Sequence, residues 1–384
     1  MKHSNDKKVN KKNKKEPKSL KSRFIKFIVI ILILFLIVSI GYLAFKAYIF
    51  KTLAKEMFNN STSTVFDSNK NVIAEIGSER NRDNIKLSEM PNNLKNAYIA
   101  IEDQRFYKHH GVDIKRTGAA ILSYVIRRGS SSFGGSTITQ QLVKNLTGDD
   151  SNTISRKVKE WFYACVLDCS FSKDDILEAY LNIIYTGPNI YGVKEAALYY
   201  FNRDIKDLSL AECAFLAGIN NSPNKYNPYD SEKDHSELIK SRTLTVLKEM
   251  KSQGYITNED EYNAAVAKVE AGLTFKKGNT ASTYSYSYHT QAAVEQVVEQ
   301  VMKEKGLSED FARKYVYSSG LKIYSTQDTT IQSRVEEETT KTKYVVSGKE
   351  KDPKTNELKN DHTQAAFVII DHSTGYVVGC SGGL

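Results

Sequence analysis

The chain opens its hydrophobic pattern with an unbroken run. Phe27 to Phe45 holds nineteen residues without a charge, mostly Ile, Leu and Val. About 18 such residues are enough to cross a bilayer as a helix. A cleaved leader has a shorter apolar core and a small-residue cleavage site. Here Gly41 and Ala44 lead into Phe45, Lys46 and Ala47, so residues 27–47 read as an uncleaved anchor. Beyond it the period changes. Thr64-Val-Phe and Val72-Ile-Ala-Glu-Ile flank a turn at Asp67-Ser-Asn-Lys-Asn, predicting strands within a β-containing region over 48–91.

From 92 to about 270 helical spacing takes over. Leu94, Ala97, Tyr98 and Ile101 predict an amphipathic helix ending at Glu102-Asp103. Ser136 is placed to cap a helix carrying Ile138 and Leu142. Ser155 is placed to start another, with an apolar stripe of Val158, Trp161, Phe162, Cys165, Val166 and Cys169. At 100° per residue, that stripe leaves Arg156 and Glu160 together on the face opposite the core. Ser172-x-x-Asp175 and Ser209-x-x-Glu212 are capping boxes. The second opens a helix, 210–219, that is apolar nearly all round and is therefore expected at the centre. Residues 231–278 read as a polar helical extension broken at Gly254-Tyr-Ile-Thr. A Ser/Thr/Tyr-rich stretch, 279–290, then introduces one helix (290–305) and β-like runs at 320–325, 365–371 and 376–379.

Charge sharpens this layout. The net charge is +9, and the first 26 residues alone carry eleven Lys/Arg against Asp6 and Glu16, the whole of that excess. The remainder is near neutral, so no nucleic-acid partner is expected. A cationic flank stays on the cytoplasmic side, which predicts a single-pass protein of the cell membrane with everything after residue 48 outside. Disulfides are permitted there. Of the four cysteines, Cys165, Cys169, Cys213 and Cys380, the first two, four apart on a helix among apolar neighbours, nevertheless read as buried free thiols. No Cys/His spacing suggests zinc.

Five clusters carry candidate chemistry. They are Glu102-Asp103-x-x-Phe106-x-x-His109-x-Gly111, Gly134-Gly-Ser136-Thr137-Ile-Thr-Gln140-Gln141-Leu-Val-Lys144-Asn145, Arg156-Lys157-x-x-Glu160, Lys173-x-x-Ile-Leu-x-x-Tyr180-Leu-Asn182, and Ala196-x-x-Tyr199-Tyr-Phe-Asn202 with Leu208-Ser-Leu-Ala-Glu212. Each has a bland alternative taken alone. Glu102 fits a solvated helix end, Arg156/Glu160 an ordinary i,i+4 pair, and His109/His110 no recognised metal spacing. Together they offer two carboxylates on separate elements, the minimum for chemistry at an anomeric carbon. Lys144, Arg156, Lys157, Lys159 and a helix N-terminus suit a phosphorylated group. Hydrolysis of a sugar–sugar bond needs an acid on a poor leaving group. A pyrophosphate leaving group needs cations and, on the acceptor, a base. Transfer fits better than the alternatives, a lytic glycan hydrolase or a non-catalytic membrane scaffold.

In this order the five clusters resemble those of glycosyltransferase family 51, the peptidoglycan polymerase domain of class A penicillin-binding proteins and monofunctional transglycosylases. The resemblance covers about residues 95–230. It implies a mainly α, lysozyme-like domain over 92–230 behind one transmembrane helix, partly embedded in the outer leaflet. Glu102 would be the base on the acceptor's sugar 4-hydroxyl. That oxygen would attack the anomeric carbon of the lipid-linked glycan chain with inversion, releasing undecaprenyl pyrophosphate. Glu160 would assist at the pyrophosphate, through Mg²⁺ or Mn²⁺. Lys144, Arg156 and Lys157 would bind phosphates. Asp103, Phe106, His109, Ser136, Thr137, Gln140, Gln141 and Asn182 would shape the site. The implied partners are the membrane, lipid II and other proteins of wall synthesis and division.

Asn202 stands where the family commonly has glycine, and the left-handed turn is expected to survive because Asn tolerates it. Residues 320–384 resemble the opening of a transpeptidase domain, making 279–384 a linker with a small β-containing, truncated start. Ser170/Lys173 and Ser319/Lys322 have Ser-x-x-Lys spacing, but no Lys-Thr-Gly occurs. Cross-linking is not expected of this chain.

Overall fold

The computed structural model describes residues 20–58, 61–76, 85–126, 135–149, 151, 153–188, 190–278, 286–339, 341, 347–351, 358–362 and 366–382. The chain divides into two compact units, Met1–Ile49 and Phe50–Leu384. In the first, helix α1 (Leu20–Phe58) carries the apolar run, with a mean hydropathy of 3.1. Among the described residues it is the one helix long and apolar enough to cross a membrane. The basic residues before Leu20 lie outside the described residues.

The helix does not stop at 47. No Pro or Gly interrupts 48–58, and Phe50, Leu53, Ala54 and Met57 recur at helical spacing, all buried within the second unit. Phe50 stacks on Tyr163 at 4.2 Å, and Phe58 meets Phe171 at 4.6 Å. Both partners lie on or just after α5, defined below.

The predicted strands form. β1 (Ser63–Phe66) and β2 (Val72–Ile76) pair antiparallel. Asp67 closes their turn, its Oδ1 accepting from the backbone of Asn69 and Asn71 at 2.9 and 2.7 Å. A later strand, β5 (Lys322–Tyr324), adds parallel to β1 with Val65 opposite Ile323. The regions before and after the helical domain thus share one sheet.

The helical domain comprises α2 (Asn92–Glu102), α3 (Ile114–Ile126), α4 (Ile138–Thr147), α5 (Ile154–Ser170), α6 (Lys173–Ile183), α7 (Val193–Phe201), α8 (Leu210–Ile219), α9 (Ser236–Ser252) and α10 (Glu259–Glu270), with β3 (Tyr185–Gly187) and β4 (Ile190–Tyr191) between α6 and α7. α8 is central as expected: every residue in it is buried. α2 and α9 pack on it. The Tyr98 hydroxyl of α2 donates to the Leu216 carbonyl at 2.9 Å. Asn202 ends α7 at φ 49°, ψ 48°, the left-handed conformation anticipated for it.

The region after 286 is more helical than expected. Besides α11 (Tyr288–Lys305) it contains α12 (Glu309–Ser318) and α13 (Thr329–Thr339), which the sequence reading missed. α13 has few apolar residues, and its buried positions include Gln332 and Thr339. Gln332 is held by the backbone of Cys380 on β9 (Val377–Gly382), which pairs with β8 (Ala366–Ile370). Polar burial of this kind leaves no amphipathic trace. A further hairpin joins β6 (Ser347–Lys351) to β7 (Leu358–His362).

The capping box of α8 makes a testable contribution to stability. Burial works against the Glu212 charge. The Ser209 backbone and hydroxyl, then Lys268 and Arg203, outweigh it and hold the carboxyl below its ordinary value. A carboxyl depressed on folding stabilises above its unfolded pKa, and that contribution is lost as pH falls through the folded value. Thermal unfolding between pH 6 and 3 should show Glu212→Gln losing less stability than the parent on acidification, from a lower starting point.

Candidate active site

α2 ends at Glu102 because Asp103 leaves the helix at φ −153°, ψ 73° while its N–H still reaches Ile99 O at 3.0 Å. The Asp103 carboxylate is fully buried. Its Oδ2 accepts the Ile138 N–H at 3.0 Å and lies 2.8 Å from His109 Nε2. The 103–111 loop is therefore tied to the first turn of α4. Phe106 fills the space beneath, edge-on to His109 and with Lys173 Nζ 4.8 Å from its ring centre. Lys173 also pairs with Asp168, so the Ser170/Lys173 spacing belongs to this packing. Gly111 has φ +80°, and a Cβ there would lie 2.4 Å from Ala164 O, so glycine lets α5 approach.

Thr137, not Ser136, caps α4. The Gln140 N–H donates to Thr137 Oγ1 at 3.1 Å, and the Thr137 N–H donates to Gln140 Oε1 at 2.9 Å. A capping box needs a carboxylate or carboxamide side chain three residues on. Thr137 has Gln140 there, whereas Ser136 has Thr139. The Thr137 hydroxyl donates onward to Gly111 O at 2.6 Å. Likewise Thr153, rather than Ser155, caps α5 by accepting the Arg156 N–H at 3.1 Å.

The face of α5 differs from expectation. Glu160, Ala164 and Leu167 are its buried residues. Val158 is exposed, and so are the thiols of Cys165 and Cys169. Only Cys213 is buried and Cys380 is half-buried; all four are free. The apolar stripe misleads here because Glu160 enters the interior already paired. Arg156 Nη1 donates to Glu160 Oε2 at 2.6 Å, Lys157 Nζ donates to Oε1, and Gln140 Nε2 donates to Oε1 at 3.0 Å. A buried charge so surrounded is tolerable where a bare one is not. Lys157 also reaches Ser136 Oγ at 2.8 Å.

Glu102 lies in a different setting. Gln141 Nε2 donates to its Oε2 at 2.7 Å and Asn220 Nδ2 to its Oε1 at 3.1 Å. The Tyr180 hydroxyl, buried with the core as expected of its ring, donates to Gln141 Oε1 at 2.9 Å. Burial, then the Glu102 charge, pushes this phenol well above its usual value, so it remains a donor at any physiological pH. Consecutive residues of α4 thus serve the two carboxylates, Gln140 one and Gln141 the other.

Two of the anticipated residues stand apart from these pairs. Lys144 is exposed in the last turn of α4, three residues beyond Gln141 and so on its face. Asn182 grips the segment leading into the domain, its amide bonded both ways to the Ile85 backbone at 3.0 Å. Sequence reasoning missed Asn220 and Arg116, whose guanidinium donates to the Glu102 carbonyl. The available sign for Asn220 was a polar residue ending an otherwise apolar helix. Among the described residues no three His, Cys, Asp or Glu side chains gather as a metal site. Both Glu160 oxygens accept from side chains, Oε1 from Lys157 and Gln140 and Oε2 from Arg156.

Gln140 supports the α4 cap and Glu160 at once. Gln140→Ala should therefore lower stability by about 1–3 kcal/mol, read by thermal unfolding of the detergent-solubilised chain. An unchanged unfolding temperature would show that the double role is unimportant.

Comparison with known proteins gives the family to which this region is similar. The family model described as Transglycosylase matches residues 69–251. Penicillin-binding protein 1A of Clostridium botulinum (strain Langeland) is 38% identical over 327 residues, 84% of this chain and 39% of its own length. Penicillin-binding protein 1A/1B of Bacillus subtilis is 40% identical over 280 residues, 72% of this chain and 29% of its own. The chain thus spans less than half the length of these curated relatives. A solved structure of penicillin-binding protein 1A from Haemophilus influenzae, 21% identical, covers 72% of this chain and 28% of that one at a TM-score of 0.31. Residues 69–251 belong to the transglycosylase family, within a chain similar over most of its length to penicillin-binding proteins 1A.

Proposed function

We propose that this chain is a peptidoglycan glycosyltransferase that polymerises lipid II into glycan strands by inverting transfer. The observation that carries the reading is the contrast between the two carboxylates. Glu102 is oriented by neutral amides, one to each oxygen, and suits a base. Glu160 sits between Arg156 and Lys157, where a departing pyrophosphate would find its counter-charge.

In the reaction the acceptor's 4-hydroxyl oxygen forms a bond to the anomeric carbon of the lipid-linked glycan chain. The bond from that carbon to the pyrophosphate oxygen breaks from the opposite side, which inverts the centre. The hydroxyl proton passes to Glu102, and undecaprenyl pyrophosphate leaves as an anion. Arg156 and Lys157, with Lys144 in the exposed last turn of α4, stabilise the charge developing on phosphate. A hydrolase would instead need a protonated acid beside the leaving oxygen, in the place where this chain carries cations. Mg²⁺ or Mn²⁺ would enter as the counter-ion of the pyrophosphate substrate. The apolar helix α1 holds the chain in the cell membrane, with the N-terminus cytoplasmic and the catalytic unit outside, and other wall-synthesis and division proteins are its partners.

Purified full chain, given lipid II and a divalent cation, should release polymer, while Glu102→Gln should be slower by about a hundredfold or more. A wild type that makes no polymer, or a variant that makes as much, would sink the proposal.

A further inference from the structure

We propose that Asn220 is a positioning residue for transfer, its carboxamide fixing which edge of Glu102 faces the acceptor hydroxyl. The inference rests on the reading of Glu102 as the base. α8 buries ten residues in succession and ends at Ile219. The side chain that follows turns onto Glu102, with Asn220 Nδ2 3.1 Å from its Oε1, 2.9 Å from the Tyr180 oxygen and 3.4 Å from Gln141 Oε1.

These groups close a ring drawn from four elements, α2, α4, α6 and the end of α8, and each link has one sense. The Tyr180 phenol, held protonated by burial, donates to Gln141 Oε1, and its own lone pairs accept from Asn220. With its oxygen taken, Gln141 must present nitrogen to Glu102 Oε2. Asn220 must likewise present nitrogen, because it meets a carboxylate on one side and a donating phenol on the other. Each Glu102 oxygen thereby gives one lone pair to an amide and keeps another free for the acceptor. Without Asn220 the carboxylate is held from the Gln141 side, and its terminal torsion, intrinsically broad, is freed. Asn220 touches the base rather than the substrate, so its loss should appear in kcat and not in KM.

Two substitutions in the full chain, with thermal unfolding as a fold control, separate positioning from packing. Asn220→Ala removes the donor and should lower kcat roughly tenfold to a hundredfold, with KM within about twofold. Asn220→Asp keeps the shape but sets a second carboxylate against Glu102, and should lower kcat further. A packing role predicts the reverse order, with the isosteric Asp variant close to wild type. The proposal falls if Asp retains more kcat than Ala, or if both keep wild-type kcat, in a wild type that polymerises. A wild type without activity overturns this inference together with the proposed function.

Discussion

The arrangement depends on where α4 begins. Gln140 and Gln141 are neighbours, about 100° apart around the helix, and each reaches a carboxylate on a different element. Starting the helix one residue earlier or later would rotate both amides off their targets. The start is fixed from three sides: the Thr137–Gln140 box, the Asp103 carboxylate on the Ile138 N–H, and the Thr137 hydroxyl on the Gly111 carbonyl. Asp103, Thr137 and Gly111 are thus parts of one registration device, and Gly111 serves it by letting α5 close in.

That device also keeps two electrostatic environments separate. A carboxylate surrounded by cations and a carboxylate surrounded by amides have different chemical uses. Gln140 and Gln141 leave α4 in different directions, and Glu160 takes Arg156 and Lys157 while Glu102 takes Gln141 and Asn220. The division of labour proposed for the reaction rests on that separation.

Much of this was legible in the sequence where local rules govern. The buried helix 210–219, its Ser209 cap, the end of α2 at Glu102 and the left-handed Asn202 follow from periodicity and capping chemistry. Reading failed where a tertiary partner overrode the local pattern. The apolar stripe of α5 pointed Glu160 outward, because a hydrophobicity count gives no credit for a charge that brings its own counter-ions. Ser136 and Ser155 looked like caps, yet the neighbouring threonines fill the role with the partners that geometry supplies. The polar end of the apolar helix marked Asn220, but its partner, 118 residues away, left no local trace. α13 was missed because polar contacts, such as Gln332 with the Cys380 backbone, hold part of its inner face, whereas the Phe311, Ala312, Tyr315 and Val316 face of α12 was there to be read.

The parallel pairing of β1 with β5 has a consequence for the order in which the chain matures. The Ser63 hydroxyl accepts from the Leu321 backbone across 258 residues, beside the Thr64–Lys322 register. During synthesis β1 emerges early and its partner arrives only after the whole helical domain has been made. Contacts of such long sequence separation form slowly. Until then β1 has an unoccupied edge, an opening for strand exchange with another nascent chain. The sheet is therefore completed late, and its inner strand is protected only once the far end of the chain has arrived.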